Sequence, residues 1–590
     1  MTECGQLRDR ILAASKTRKA QLVLKAAKVL NVFTEELERV DVAISDGYIV
    51  GLGEYEGERE LFLDGMVICP GFLDGHIHLE SSMVSPEEFE RAVLPHGTTG
   101  VVTDPHEIAN VAGTDGIDYM LDAAEELLLD VYVMLPSCVP ATALDESGAV
   151  LDAARLRPYY QHRRVLGLAE VMNAYGTVSA DRQVLEKIMD AKSHGKIIDG
   201  HAPGISGAVL NGYVTAGVRS DHECSSEEEA IEKLRRGQWI MIREGTAARN
   251  LQALMSLCRE PYYHRCMFVT DDKHPGDLLR TGHMDAIIRK AVAAGADPVK
   301  AVKMGSFHTA QYFGLTDTGA VAPGYKADLV VLSDLPAVTV HQVYKGGRLA
   351  AEDGKYLADQ EQEVRERRAQ AQKASAEKYT HIYQSFHLKS VKAEDFDLKP
   401  QGDRMRVIRL VPGELLTKEQ ILPWTELPGY APGVNPSEDV VKMAVLERHL
   451  GTGHIGIGFL GGYGLREGAV ATSVAHDSHN LITAGVCDED MALAANTVRK
   501  NQGGLAVVKN GMVLGELALP IGGLMSPEPA AVVDGQLTWL KELAAQLGIA
   551  EGIDPFMTLA FASLPVIPSL RLNTYGLIDT EKQKIIPVTF

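Results

Sequence analysis

Residues 70–82 read PGFLDGHIHLESS, an apolar stretch that ends in two histidines. On a β-strand this spacing places His76 and His78 on the same side, because successive side chains alternate between the two faces. Two imidazoles on one side of a strand end are typical of a metal site. Alone, an H-x-H pair is more often an ordinary structural pair, so the neighbouring segments have to decide.

Similar apolar runs recur through residues 70–314 and alternate with amphipathic helical runs. They predict eight strands, which end at His78, Asp104, Pro136, Glu170, His201, His222, Glu244 and Asp272. Their mean spacing of about 28 residues matches a (β/α)8 barrel of the TIM type, in the α/β class. In that fold the carboxyl ends of the strands face the active site, so these residues are predicted to lie close together.

Several of these strand ends carry side chains that bind metals. Besides the two histidines of the first strand, they are Glu170, His201, His222 and the pair Asp271 and Asp272. Imidazole and carboxylate ligands together suit Zn, Mn, Fe or Co, and a carboxylate between two sites can bridge two ions. The sequence therefore predicts a metal site at the mouth of the barrel.

The remaining segments predict further domains. Short strands separated by Gly and Asp turns occupy both flanks of the barrel and predict one small discontinuous β domain, residues 1–68 plus 315–358, around a barrel at 69–314. A charged segment without proline, 359–384, predicts a helical connector, and its 365–373 stretch predicts a solvated helix. Residues 385–590 mix strands and helices and predict a C-terminal α+β domain.

Length and charge limit the class of partner. The chain has 590 residues, enough for several domains, and 58 Lys and Arg against 79 Asp and Glu give a net charge of −21. This charge disfavours nucleic acid as a partner. Seven cysteines without a CxxC pair, no export signal and no long apolar stretch predict a cytoplasmic protein that spans no membrane.

Nine segments together resemble a known family. The barrel resembles the amidohydrolase superfamily, and the chain beyond its first 20 residues resembles the adenine deaminases of that superfamily. The segments are PGFLDGHIHLESS (70–82), HGTTGVVTDPHEIANV (96–111), LGLAEVMN (166–173), DGHAPGISG (199–207), SDHECS (220–225), MIREGTAARN (241–250), TDDKHPGDLL (270–279), SVAHDSHNLITAG (473–485) and QGGLAVVKNG (502–511).

This resemblance implies a centre of two divalent ions, with Mn or Fe preferred and Zn possible. The implied ligands are His76, His78, Glu170, His201, His222 and Asp271. Many superfamily members have a carboxylated lysine where Glu170 stands, whereas members similar to adenine deaminase share the glutamate. A glutamate needs no CO₂ to become an anion, so metal loading is expected to be independent of bicarbonate.

The implied reaction is the hydrolytic deamination of adenine to hypoxanthine and ammonia, in purine salvage. A metal-bound hydroxide would attack C6, and Asp271 would pass the hydroxide proton to the departing amine. Glu107 is a candidate proton donor to a ring nitrogen, or else an acid that stabilises a helix N-terminus.

Further residues are candidates for substrate binding. Asp272 either contacts substrate or has a structural role, and Ser81 and Ser82 either orient substrate or cap the next helix. His106 is a further candidate. The segment 476–480 would cover the mouth of the barrel or form a satisfied loop network.

Other motifs lead to no function. His106 and Glu107 begin an H-E-x-x-H pattern, but position 110 is Asn, which excludes the metalloprotease pair. The H-x-E at 78–80 lacks the P-C-x-x-C of cytidine deaminases. G-x-G-x-x-G at 456–461 is interpreted as turns between short strands, and Cys224 as a small core residue.

Two alternative functions remain. One is an amidohydrolase acting on an N6-substituted adenine or a cyclic amide, and the other is a non-catalytic assembly protein of this fold, which should have lost ligands. Because all six implied ligands are present, the enzyme is preferred. A homodimer is the expected oligomeric state.

Overall fold

A computed structural model describes residues 3–360, 362–411, 414 and 416–590. Residues 1 and 2 of the predicted β domain, residue 361 of the predicted connector, and residues 412, 413 and 415 of the predicted C-terminal domain lie outside the described residues.

The barrel is built from eight parallel strands. They run Phe72–His78, Thr98–Thr103, Asp130–Leu135, Val165–Val171, Ile197–Gly200, Ser220–Asp221, Trp239–Arg243 and Cys266–Val269, the last resuming at Asp271–Asp272. The sheet closes because Asp271–Asp272 pairs in parallel with the first strand. Between the fifth and sixth strands, the Arg219 amide donates to the Ile198 carbonyl at 2.9 Å. The predicted (β/α)8 barrel is confirmed, and each predicted strand end lies within one residue of the observed one.

Helices surround the barrel and cover its outer face. They run Pro86–Val93, His106–Ala112, Thr114–Glu125, Ala153–Leu156, Ala174–Val178, Arg182–Ser193, Gly207–Ala216, Glu227–Arg235, Pro275–Arg280, Met284–Ala293, Pro298–Met304 and Phe307–Phe313. Inward-facing side chains such as Val102, Met134, Met241 and Met267 fill the interior. The barrel is therefore a packed core with its chemistry at one end.

Two sheets lie beside the barrel, and the larger one joins the chain segments on either side of it. A four-stranded sheet contains Ala20–Lys25, Asp41–Ser45, Tyr48–Gly53 and Gly57–Phe62. A seven-stranded sheet contains Lys28–Asn31, Glu36–Arg39, Val67–Pro70, Leu329–Asp334, Thr339–Lys345, Arg348–Glu352 and Lys355–Tyr356. Val67–Pro70 pairs with strands from both segments, and a helix, Glu3–Ala14, precedes them. The predicted domain limits stay a proposal.

The connecting segment forms helices at Gln362–Lys378 and Thr380–Tyr383. Its first helix is not solvated all round, because Arg368 is buried and donates to Glu90 at 2.7 Å and to Asp359 at 3.0 Å. The interpretation of 365–373 as a solvated helix is wrong at this position. A buried arginine paired with two acids fastens the connector to the barrel helix Pro86–Val93.

The C-terminal part is a mixed α+β unit. Its eight-stranded sheet contains Arg404–Leu410, Thr417–Pro423, Val440–Leu446, Ile455–Gly461, Ala469–Thr472, Leu481–Gly485, Gly504–Lys509 and Met512–Ala518. Helices Asp488–Lys500, Ala530–Gln546 and Met557–Ala562 pack on it, and strands Leu570–Asn573, Gly576–Asp579 and Lys584–Ile586 form a small sheet.

The glycine-rich stretch 456–461 lies on the strand Ile455–Gly461, so its interpretation as turns is wrong. A side chain at Gly456 would collide with the carbonyl of Asn573, because the small sheet crosses this strand closely. The glycines serve packing and form no nucleotide loop.

One hydrophobic core unites the mouth of the barrel with the C-terminal part. Ile77, Leu79 and Phe89 of the barrel belong to the same buried cluster as Met443 and Leu505 of the large sheet. The two parts are therefore packed as one body on this side. Each helix in the described chain is too short or too polar to traverse a lipid bilayer.

Candidate functional site

The first and eighth strands are tied together directly below the predicted ligands. The carboxylate of Asp74 accepts hydrogen bonds from the amides of His76 and Thr270, each at 3.2 Å, and its Oδ2 lies 3.1 Å from Nε2 of His283. All four residues are buried. This network fixes the strand that carries the two histidines against the strand that leads to Asp271.

Glu170 occupies the centre of the cluster. Its Oε2 lies 2.9 Å from Nδ1 of His201 and 3.1 Å from Nε2 of His222. Its Oε1 faces the opposite side, 3.6 Å from Nε2 of His78 and 3.7 Å from Nδ1 of His106. Each carboxylate oxygen thus faces its own pair of imidazoles, which is the arrangement a bridging ligand requires.

Asp271 closes the other side of the cluster. Its Oδ1 lies 3.2 Å from Nε2 of His78 and 3.5 Å from Nε2 of His76, while Oδ2 accepts a hydrogen bond from Arg243 at 2.7 Å. Its backbone has a positive φ of 62°, which is uncommon for a residue other than glycine. Burial opposes ionisation, but Arg243 and the two histidines hold the pKa of Asp271 well below its usual range.

The residues of the cluster fit a divalent metal. Nε2 of His76 is buried and has no hydrogen-bond partner among the described residues. Four overlapping groups of potential metal ligands lie here, and within each group the ligand atoms are all within 4.8 Å of one another. Imidazoles and carboxylates that converge in this way are the ligand set that divalent cations bind. The groups are His76, His222 and Asp271; Glu170, His201 and His222; His78, Asp271 and Asp272; and His78, Asp104, His106 and Glu170.

The two serines after the first strand lie in a 3₁₀ turn, Leu79–Ser82. Ser81 donates a hydrogen bond to Asp272 at 2.5 Å, so these two candidate substrate-binding residues face each other. Ser82 is fully buried and donates to the Leu79 carbonyl at 2.6 Å. Neither serine caps the following helix, because Ser85 is its N-cap.

His106 and Glu107 begin the helix after the second strand and contact the C-terminal part. Nδ1 of His106 lies 3.1 Å from Asp104, and its Nε2 lies 3.5 Å from Glu107. Glu107 is also contacted by His476, at 2.7 Å, and by His479. Burial would raise the pKa of Glu107, but the two C-terminal imidazoles hold it well below its ordinary value. Glu107 is therefore a buried carboxylate.

A small cavity, partly open to solvent, adjoins these residues. Ser81 and Asp272 line its barrel side, and His476, Phe556 and Met557 are among the residues that line its C-terminal side. Candidate substrate-binding residues from both parts of the chain therefore meet at one opening, beside the cluster of potential metal ligands around Glu170 and Asp271.

Sequence reasoning missed two charged residues of the site. Arg243 binds Asp271 and also donates to Glu223 at 2.9 Å, and Glu223 lies 3.3 Å from Nε2 of His222. Glu244, the predicted strand end, points away and pairs with Lys290 at 2.7 Å. The alternation of side chains along the seventh strand could have indicated Arg243, but the predicted strand end was one residue too late.

Cys224 lies beside this cluster without joining it. The thiol is buried and contacts Asp221 at 3.1 Å, and burial raises its pKa far above the ordinary value. The side chain is a neutral thiol in the core, as the sequence analysis expected.

Known proteins match the chain over its whole length. The family model of the amidohydrolase family matches residues 67–350, and that of the adenine deaminase C-terminal domain matches residues 414–584. The chain is 46% identical over 588 residues to adenine deaminase 2 of Carboxydothermus hydrogenoformans, with 99% of each chain covered. The chain belongs to the adenine deaminase family. The resemblance inferred from the nine sequence segments is confirmed.

Other relatives agree. Identity is 44% to the adenine deaminase of Bacillus pumilus, over 98% of this chain and 99% of that one, and 42% to that of Bacillus subtilis strain 168, over 97% of each. Among solved structures, β-aspartyl dipeptidase of Fervidobacterium islandicum AW-1 is similar at a TM-score of 0.44 and 17% identity, over 57% of this chain and 98% of that one. Zinc-complexed atrazine chlorohydrolase of Arthrobacter aurescens TC1 is similar at a TM-score of 0.46 and 14% identity, over 59% of this chain and 99% of that one.

Proposed function

We propose that the protein is a metal-dependent adenine deaminase that converts adenine and water to hypoxanthine and ammonia, in purine salvage. The observation that carries the proposal is the convergence of all six expected ligands at one end of the barrel, in a chain whose full-length relatives are named adenine deaminase. A purine base fits the substrate class better than a cyclic amide, because the relatives match both the barrel and the C-terminal part.

The proposed cofactor is a pair of divalent ions, with Mn or Fe preferred and Zn possible. The residues that would hold them are His76, His78, Glu170, His201, His222 and Asp271. When bound, the ions would lower the pKa of a water molecule toward neutrality, so that hydroxide is available at pH 7.

Asp271 is the proposed acid and base. Arg243 holds Oδ2 at 2.7 Å, which orients the carboxylate and turns Oδ1 toward the histidines of the first strand, where the proton would be exchanged. Because its pKa lies well below the usual range, the group starts as a carboxylate and accepts the proton of the attacking water. It then delivers this proton to the departing amine.

The remaining candidates are proposed to bind and orient the base. Asp272 and Ser81 line the cavity and hold each other, and Ser82 supports the turn that carries Ser81. His106 lies between the central cluster and Glu107. Glu107 stays the proposed source of a proton for a ring nitrogen. Because it is itself a carboxylate, that proton has to come from one of its imidazole neighbours.

A homodimer and a cytoplasmic location stay proposals from the sequence, together with the domain limits. Their support is general, since symmetric dimers are the commonest soluble oligomers and unpaired cysteines suit a reducing compartment. No direct nucleic-acid or membrane partner is proposed.

Ammonia release tests the function. Protein purified with added Mn²⁺ is offered adenine, adenosine, N6-methyladenine or dihydroorotate, and metal content is determined in the same preparation. Turnover of adenine alone is expected. A metal-loaded protein inert toward adenine but active on N6-methyladenine or dihydroorotate would replace the proposal with the corresponding alternative.

A further inference from the structure

The segment 476–480 of the C-terminal part reaches into the mouth of the barrel and places two imidazoles on Glu107. Nδ1 of His476 lies 2.7 Å from Oε1 of Glu107, and Nε2 of His479 lies against Oε2. All three side chains are buried. The metal-type cluster around Glu170 and Asp271 does not include either C-terminal histidine.

His479, His476 and Glu107 have the ligand types of a metal site, but the hydrogen bonding of His479 indicates another role. The Ala475 amide donates to Nδ1 of His479 at 3.0 Å, so Nδ1 carries a lone pair. A neutral imidazole then carries its proton on Nε2, the atom that faces Glu107. That nitrogen directs its proton toward the carboxylate and has no lone pair for a cation.

His476 differs from His479 because its second nitrogen, Nε2, is left without a partner among the residues that the structure describes. Its ring lines the cavity that Ser81 and Asp272 also line, and it stacks on Phe561 at 5.5 Å with an interplanar angle of 19°. Nε2 of His476 has no hydrogen-bond partner within the described part of the chain. The stack and the Glu107 contact together fix the direction in which this nitrogen points.

We propose that His476 contacts the substrate, donating a hydrogen bond from Nε2 to an acceptor nitrogen of the purine ring, and that Glu107 and His479 position it. This inference rests on the proposed function and extends it, because it makes the C-terminal part a contributor to base recognition. The charge state agrees: burial opposes protonation, but Glu107 raises the pKa of His476 to about 9, so both of its nitrogens carry protons at neutral pH.

The test measures how strongly 1-deaza-, 3-deaza- and 7-deazaadenine inhibit adenine turnover. Each of these analogues lacks one acceptor nitrogen. We expect the wild type to bind one analogue about 10- to 100-fold more weakly than the others, the usual cost of an unpaired buried donor. In His476→Asn, which keeps a donor at the Nδ1 position but has no Nε2, this difference should disappear. KM for adenine should rise, and metal content should stay unchanged.

His479 is tested through rescue. His479→Ala should lose much of the discrimination between analogues, and His479→Gln, which keeps a donor toward Glu107, should regain it. The matched control is His454→Ala, because His454 also pairs with a barrel glutamate, Glu146 at 3.0 Å, but is half exposed. It should behave as the wild type.

Each outcome decides one point. If the wild type releases no ammonia from adenine, the proposed function fails and this inference fails with it. If the wild type is active but treats the three analogues alike, or if His476→Asn keeps the difference, the inference alone is refuted. A third metal equivalent that is lost in His479→Ala would replace it with a metal site.

Discussion

Glu170 offers the sharpest test of the metal centre. Its two oxygens face different imidazole pairs, Oε2 at 2.9 and 3.1 Å and Oε1 at 3.6 and 3.7 Å. In the proposed centre of two ions, Glu170→Ala would therefore remove one ligand from each metal position. A residue that only supports a ligand is worth about 10- to 100-fold in metal affinity. Loss of a direct ligand should cost at least the upper value, about 2.7 kcal/mol at each position.

The assay is elemental analysis after dialysis against one fixed concentration of free Mn²⁺ that just saturates the wild type. Glu170→Ala should lose most of its metal and its activity. Glu244→Ala is the matched control, because Glu244 is a buried glutamate at the end of the seventh strand that pairs with Lys290 outside the cluster. It should keep full occupancy.

Bicarbonate separates this ligand from a carboxylated lysine. The Glu170 side chain is an anion without CO₂, so removal or addition of bicarbonate should leave wild-type metal content unchanged. Full occupancy in Glu170→Ala, measured beside the control, would show that Glu170 is not a ligand and would refute the bridging geometry.

Three further predictions concern Asp271, Arg368 and Asp145. Asp271→Asn should retain metal but lose about 10²- to 10⁴-fold in turnover, and unchanged activity would remove its role as acid and base. Arg368→Ala should destabilise the fold by about 3 to 5 kcal/mol in denaturant unfolding, because it leaves the buried Glu90 without its cationic partner. Arg367→Ala should cost under about 1 kcal/mol, because its ion pair is exposed, and equal losses in the two variants would contradict this. Burial raises the pKa of Asp145 to about 8, so the folded state keeps a proton that the unfolded chain loses near pH 4, and stability falls as pH rises between these values. Asp145→Asn should therefore gain stability over this range, by up to about 1.4 kcal/mol per pH unit, and an equal gain at pH 5 and pH 8 would refute it.

The barrel and its ligand-type residues were predictable because their signal is local. An apolar run that ends in histidine or a carboxylate needs only the alternation of a strand and the geometry of a parallel barrel to place its last residue. The same alternation explains the error at the seventh strand. A shift of one residue exchanged Arg243, which faces Asp271, for Glu244, which faces Lys290.

The contacts between distant segments had no such signal. Glu107 and His476 are 369 residues apart, and neither segment has a periodicity that points to the other. The buried side of the connector helix was missed for a similar reason, since one arginine among many exposed charges carries no pattern of burial. Its partner, Glu90, lies 278 residues earlier in the chain.

The division of the site between two parts of the chain has a physical consequence. The proposed metal ligands lie on barrel strands, whereas Phe556, Met557 and His476 of the C-terminal part line the cavity wall beside them. Because both parts share one hydrophobic core, this wall is held in a fixed position relative to the strand ends. Substitutions in the wall can therefore change which ring the site accepts while leaving the six ligand positions, and the hydrolytic chemistry proposed for them, in place.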